Sequence, residues 1–273
     1  MGALLAFDPL STTLHRGVDQ TKGRSYFRCK AYSSQEKSMS HEVEKMMFVG
    51  ELPWHGLGTE LARPPTCREA ILAAGLDWTV SLKPLVIKET GEDVGWNATV
   101  RDSDGSKLGV VGPSYTPLQN LQAFDFFDPF VASGVATLET AGALKKGKRV
   151  WILARVVGSP VEIVKNDAVD RFILLSNSHD GTLAIRVGFV PIRVVCANTL
   201  AMAHSEVASK LLRVRHTEKA PKTLEKIREI MEPMNQEFLA TAEQYKQLAR
   251  LQVDSSSLKA FVRQVFQPKL IET

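Results

Sequence analysis

Strand-length apolar runs separated by tight-turn signals constrain this chain more than any other feature. Ala136 to Leu144 is followed by Lys145-Lys-Gly147 and then by Arg149-Val-Trp-Ile-Leu153, and Phe172 to Leu175 leads through His179-Asp-Gly181 to Leu183-Ala-Ile-Arg-Val187. Upstream, Trp78 to Leu82 and Pro84 to Lys88 precede Trp96 to Val100, and Asp104-Gly105 turns the chain into Lys107 to Val111. Runs this short, with turn chemistry between them, pair as antiparallel hairpins. The expected fold class is therefore α+β: a mostly antiparallel sheet built from hairpins and packed by helices.

Helices are expected between the strand blocks. Thr66 is placed to cap a helix within Pro64 to Ala74, and Leu121, Phe124, Phe127 and Phe130 recur at helical spacing after Tyr115-Thr-Pro-Leu-Gln-Asn120, over 120 to 132. A further helix is expected from Cys196 to Ala208. Leu224, Ile227, Ile230, Met231, Met234, Phe238 and Ala242 then form a helical stripe broken by Pro233, and Ser256 to Val265 is a last helix. This divides the chain into an N-terminal extension over 1–45, an α+β domain over 46–216 and a helical C-terminal region over 217–273, which ends without a cap signal and so reads as cut short. Residues 1–38 show no amphipathic pattern of a transit peptide, and Asp8 interrupts the only apolar run of a secretory signal. They are expected to be disordered or an over-extended gene start, with Met39 as the native one.

The chain has 273 residues, is 44% hydrophobic and carries a formal net charge of +4. That suffices for a full core, lacks any apolar run of membrane-spanning length, and permits a nucleic-acid partner without requiring one. Cys29, Cys67 and Cys196 are odd in number and far apart, which suits reduced thiols in a cytoplasm.

Chemistry concentrates around Arg193-Val-Val-Cys196-Ala-Asn198-Thr199. Cys196 opens a helix, where the dipole and Arg193 would favour a thiolate. His204 lies too far along the same helix to reach it, roughly 12 Å away, so His179 or His216 would have to be its partner. Cys196, His179 and His216 are thus the catalytic candidates. His55, His179, Cys196, His204 and His216 lack the short spacings of a zinc site, and Gly56-Leu-Gly58 lacks the third glycine of a phosphate loop, so no metal or cofactor is implied. Asp102 with Asp104, and Asp125 with Asp128, read as surface carboxylates.

Basic residues form two groups, Lys145, Lys146, Lys148 and Arg149 on one hairpin tip, and Lys210, Arg213, Arg215, His216, Lys219 and Lys222 further on. With Arg193 they are the expected contacts to a phosphate backbone of single- or double-stranded DNA, and Trp54, Trp96, Trp151, Tyr115 and Phe189 are possible stacking faces.

The order Pro53-Trp-His-Gly-Leu-Gly58, Tyr115 to Asn120, Glu139-Thr-Ala-Gly-Ala-Leu144 with Gly147 to Trp151, Ser178-His-Asp-Gly181, Arg193 to Leu200 and Arg215-His-Thr217 resembles the phage- and plasmid-borne proteins catalogued as domain of unknown function 932. The resemblance runs from about Met46 to the end of the chain. It implies a setting in replication or recombination on a mobile element and brings no catalytic residues with it. Non-catalytic DNA binding, as in strand annealing, by an oligomer joined through the helical tail is the leading expectation. A Cys196-centred enzyme and a protein-binding module acting on host factors are the alternatives.

Overall fold

The computed structural model describes residues 13–19, 24–30, 42–158, 160–164, 167–205, 210–231, 240, 243–244, 246–247, 250 and 254–266. A seven-stranded sheet organises it, in the order β14-β13-β12-β9-β8-β3-β4. These strands are β3 (Val43–Val49), β4 (Thr59–Leu61), β8 (Ala136–Leu144), β9 (Arg149–Val156), β12 (Phe172–Ser178), β13 (Ile185–Val190) and β14 (Leu212–Val214). Neighbours run antiparallel except β3 and β4, which are parallel. A three-stranded antiparallel meander, β5 (Val80–Val86), β6 (Asp93–Arg101) and β7 (Lys107–Val111), stands beside it. Two separate hairpins pair β1 (Thr13–Asp19) with β2 (Arg24–Lys30), and β10 (Val161–Val164) with β11 (Asp167–Val169).

Both faces of the large sheet are buried. Along β9, Val150, Ile152 and Ala154 join a core with Leu76, Phe124, Phe127 and Leu224, whereas Trp151 and Leu153 join a second core with Cys196 and Leu200. The alternation repeats in β12, where Ile173 and Leu175 face the first core and Phe172 and Leu174 the second. Helices α1 (Cys67–Ala73), α2 (Asn120–Asp125), α3 (Asp128–Ala132) and α5 (Ala220–Glu229) bring apolar residues to the first core, and α4 (Ala197–Ala203) covers the second. Trp151 crosses the sheet so closely that a Cβ on Gly142 would lie 2.4 Å from its ring, so only glycine fits there.

Several expectations are corrected. The helix expected over 120–132 is two short helices, because the ring of Pro129 excludes the carbonyl four residues back and starts a new first turn. Leu121 belongs to its apolar stripe yet is 58% exposed. The two runs at 78–82 and 84–88 form the single strand β5, which accepts Pro84 because it is the edge of the meander. The helix from Cys196 begins at Ala197 and is capped at His204, and 206–209 lie outside the described residues. In the expected C-terminal helical region, α5 and α6 (Ser255–Phe266) are described, and most of 232–253 lies outside the described residues.

Helix α1 begins as expected. Thr66 Oγ1 accepts from Glu69 N at 3.2 Å and the Glu69 carboxylate accepts from Thr66 N at 2.9 Å, a reciprocal capping box. Thr66→Ala should cost about 1 kcal/mol in chemical denaturation. An unchanged midpoint would show that the carboxylate alone holds this turn.

Candidate functional site

The motifs singled out in the sequence converge, but on two sides of the sheet. On the first side, Asn120 Nδ2 donates to the carbonyls of Leu76 and Trp78, so its Oδ1 is the acceptor for His179 Nε2–H at 3.0 Å. Asn177 Nδ2 donates to Leu118 O at 2.9 Å, and its Oδ1 accepts from Ser178 N and from His216 Nε2–H at 2.8 Å. Both imidazoles therefore carry a proton on Nε2. The 3.5 Å approach of Asn177 Nδ2 to His179 Nε2 brings two donors together and is no hydrogen bond. Tyr115 stacks on His216 with ring centres 4.8 Å apart and donates to Ser178 O, and Trp78 stands edge-on to His179.

This knot is sealed. Asn120, Asn177 and His179 are buried, and His179 Nδ1 has no hydrogen-bond partner. Burial, with the neighbouring His216, pushes His179 down to about 3, while burial takes His216 down to about 4. The following Asp180 accepts from Ser178 Oγ and from Thr182, and β7 presses on its backbone at Gly109, where a Cβ would lie 2.5 Å from Asp180 Cα.

The second side carries Cys196 and Arg193. Cys196 is buried at the N-cap of α4, where Thr199 Oγ1 accepts from the backbone N–H of Cys196 and lies 3.4 Å from its Sγ. The sheet stands between Cys196 and the pair His179 and His216. Arg193 Nε bonds Glu139 at 2.8 Å and its Nη2 donates to the carbonyls of Val49 and Glu51. His55 Nε2 donates to Val195 O at 2.9 Å, and Thr140 Oγ1 donates to Val194 O. These residues lock the Glu51 to Gly58 loop onto the strand-to-helix junction. Arg193 thus lies past the end of β13 where Val190 pairs with Phe172, away from the lysine tip.

The basic residues gather at the opposite end. Arg149 opens β9 opposite Ser178, and His179 N donates to Lys148 O at 2.8 Å, so the Lys145 to Lys148 turn sits at the end of β12. Arg186 on β13 lies directly between Ser176 and Arg213 of β14. Lys145 and Lys146 hold left-handed backbone, with φ of 53° and 58°. Lys145, Lys146, Lys210, Arg213, Arg215, Lys219 and Lys222 are exposed, whereas His216 is buried in the knot. Trp151 and Phe189 are core residues, and Trp54 and Trp96 are exposed.

Sequence reasoning passed over Arg186 and the pair Ser176 and His204, joined at 2.8 Å between Oγ and Nε2. Cross-strand register was the signal that finds them, since it sets Ser176 beside Arg186 on one face. Burial, and then the charges of Arg186, Arg149 and Arg213, hold His204 down to about 4. Among the described residues no group of three His, Cys, Asp or Glu side chains is placed to hold a metal ion, and no helix is long and apolar enough to cross a membrane.

Residues 107–272 match the sequence profile of the family described as domain of unknown function 932. The chain belongs to that family. Neither a curated protein nor a solved structure matches it. Within this domain of unknown function 932, the motifs from Tyr115 onward fall inside the matched segment, and the Pro53 to Gly58 motif, which docks on Val195, precedes it.

Proposed function

We propose that the chain binds the phosphate backbone of DNA across the basic end of its large sheet, without catalysis. The observation that carries this reading is the meeting of two basic segments far apart in sequence, the Lys145 to Arg149 tip and the Arg213 to Lys219 segment, at one end of one sheet. Left-handed backbone is disfavoured for lysine by about 1 kcal/mol or more per residue, so the charge at Lys145 and Lys146 is held at a cost that asparagine or glycine would avoid. Single strands suit the site better than duplex, because exposed Trp96 on the neighbouring meander offers a stacking face and, among the described residues, no long helix stands there to enter a groove. A phage- or plasmid-borne role in replication or recombination, strand annealing included, fits such binding. The helical C-terminal region, of which α5 and α6 are parts, would then join copies of the chain in a cytoplasm that keeps buried Cys67 and Cys196 reduced.

Fluorescence anisotropy with a labelled single-stranded oligonucleotide tests the reading. If about four phosphates are neutralised, raising salt from about 50 to about 300 mM should weaken binding by about 100-fold. Lys146→Gln should lower affinity at low salt and flatten the salt slope. No binding at low salt would overturn the proposal.

A further inference from the structure

We propose that the outer face of the meander formed by β5, β6 and β7 is a stacking platform for the unpaired bases of a single strand, with Trp96 as its anchor. The inference rests on the nucleic-acid reading above and adds to its phosphate contacts a second contact made to the bases.

Register builds the platform. Residues directly opposite one another in antiparallel strands share a face, so Lys83, Ala98 and Val110 form one row across β5, β6 and β7. Ser81, Val100 and Lys107 form the next row. Trp96 stands two residues from Ala98 on β6 and so on the same face, about 7 Å from the first row and about 14 Å from the second. Alternation puts Thr99 and Val111 on the other side, where both are buried. The outer side is open: Trp96 is 52% and Val110 56% exposed, and Lys83 and Lys107 are exposed as well.

This face adjoins the basic end of the large sheet. A Cβ on Gly109 of β7 would lie 2.5 Å from Asp180 Cα, which clamps the meander to the turn after β12. A Cβ on Gly147 of the lysine tip would lie 2.9 Å from Nη1 of Arg101, the last residue of β6. Five residues separate Arg101 from Trp96, about 17 Å of strand. A single strand held by its phosphates at Lys145 and Lys146 therefore reaches the indole with bases further along the same strand.

The chemistry of the face selects the occupant. An exposed indole offers a flat π-face on which any unpaired base can stack, and lysines in the neighbouring rows attract the phosphates that such a strand carries. Asp102 accepts from Thr79 Oγ1 at 2.7 Å and its charge reaches Lys83, so Lys107 is the stronger of the two cations. A duplex keeps its base faces stacked on one another and presents none of them to an indole, which makes the platform a reader of single strands.

Anisotropy on the full chain at low salt, with a labelled strand and the same strand carrying abasic sites, separates bases from phosphates, because the two strands have equal charge. The expected result is about tenfold weaker binding of the abasic strand. Trp96→Ala should weaken the intact strand about tenfold, leave the abasic strand as it was and keep the salt slope, whereas Trp96→Phe should retain most of the affinity. Lys107→Gln should flatten the slope for both strands. The abasic comparison uses the parent chain, so it holds even if Trp96→Ala fails to fold. Base-dependent binding that ignores Lys146→Gln supports the platform and defeats the reading of the lysine tip. Equal binding of both strands, unchanged by Trp96→Ala, overturns the platform and leaves backbone binding standing. No binding of either strand overturns both. A Trp96→Ala chain that binds the intact strand as the parent does, but loses self-association in sedimentation, gives the face to a second copy and overturns the platform.

Discussion

Glu139→Ala should destabilise the chain by about 3 kcal/mol, because it strands two arginines at once. The Glu139 carboxylate, 9% exposed, accepts from Arg193 Nε at 2.8 Å and from Arg155 Nε and Nη2 at 3.1 and 2.9 Å. Arg155 keeps Asp170 and is 36% exposed, so solvent screens much of its loss. Arg193, at 18%, bears most of the effect, and it also holds the Val49 and Glu51 carbonyls that seat the following loop. In a chain of this size the melting temperature should fall by about 8 °C. Glu139→Gln, which keeps an acceptor, should lose less than half as much. Urea denaturation of both variants checks this, and a Glu139→Ala chain as stable as the parent would show that water replaces the carboxylate.

Acid should unfold the chain well above the range in which carboxylates titrate. In the unfolded chain His179 and His216 titrate near 6.5, and in the folded chain burial lowers them to about 3 and about 4. As pH falls the unfolded state therefore takes up protons first. The contribution of these neutral imidazoles is complete above about pH 6.5 and is lost progressively as pH falls towards the folded values. At pH 5 each has lost about 2 kcal/mol, or about 4 kcal/mol together. Their mutual proximity through Asn177 makes protonation of one raise the cost of the second. Denaturation midpoints at pH 7 and pH 5 measure the loss. His216→Asn should be less stable at pH 7 yet flatter between the two, and a parent midpoint that does not move would refute the buried neutral pair.

Hairpins were legible in the sequence because turn residues and strand-length runs are local signals. Lys145-Lys-Gly147 and Asp104-Gly105 announce β8–β9 and β6–β7, and the capping box at Thr66 announces α1. What the sequence hid was non-local. Nothing in it tells that β3 lies between β8 and a parallel β4, or that the large sheet is buried on both sides. That second fact decides the fate of the site candidates. Cys196, His179 and His216 stand close in sequence, but alternation along β12 and the α4 crossover assign them to opposite faces. Asn120, Asn177 and Glu139 passed as ordinary polar residues, since only burial turns an amide or a carboxylate into a keystone. Arg186 sat inside an apolar strand, where its cross-strand neighbours are set by register.

The two margins of the large sheet, β14 and β4, hold only three residues each. So brief a margin offers an incoming strand few backbone partners, and β14 also places an arginine at its midpoint, which repels a second copy of itself. Growth by strand addition at the margins of the large sheet is thereby disfavoured.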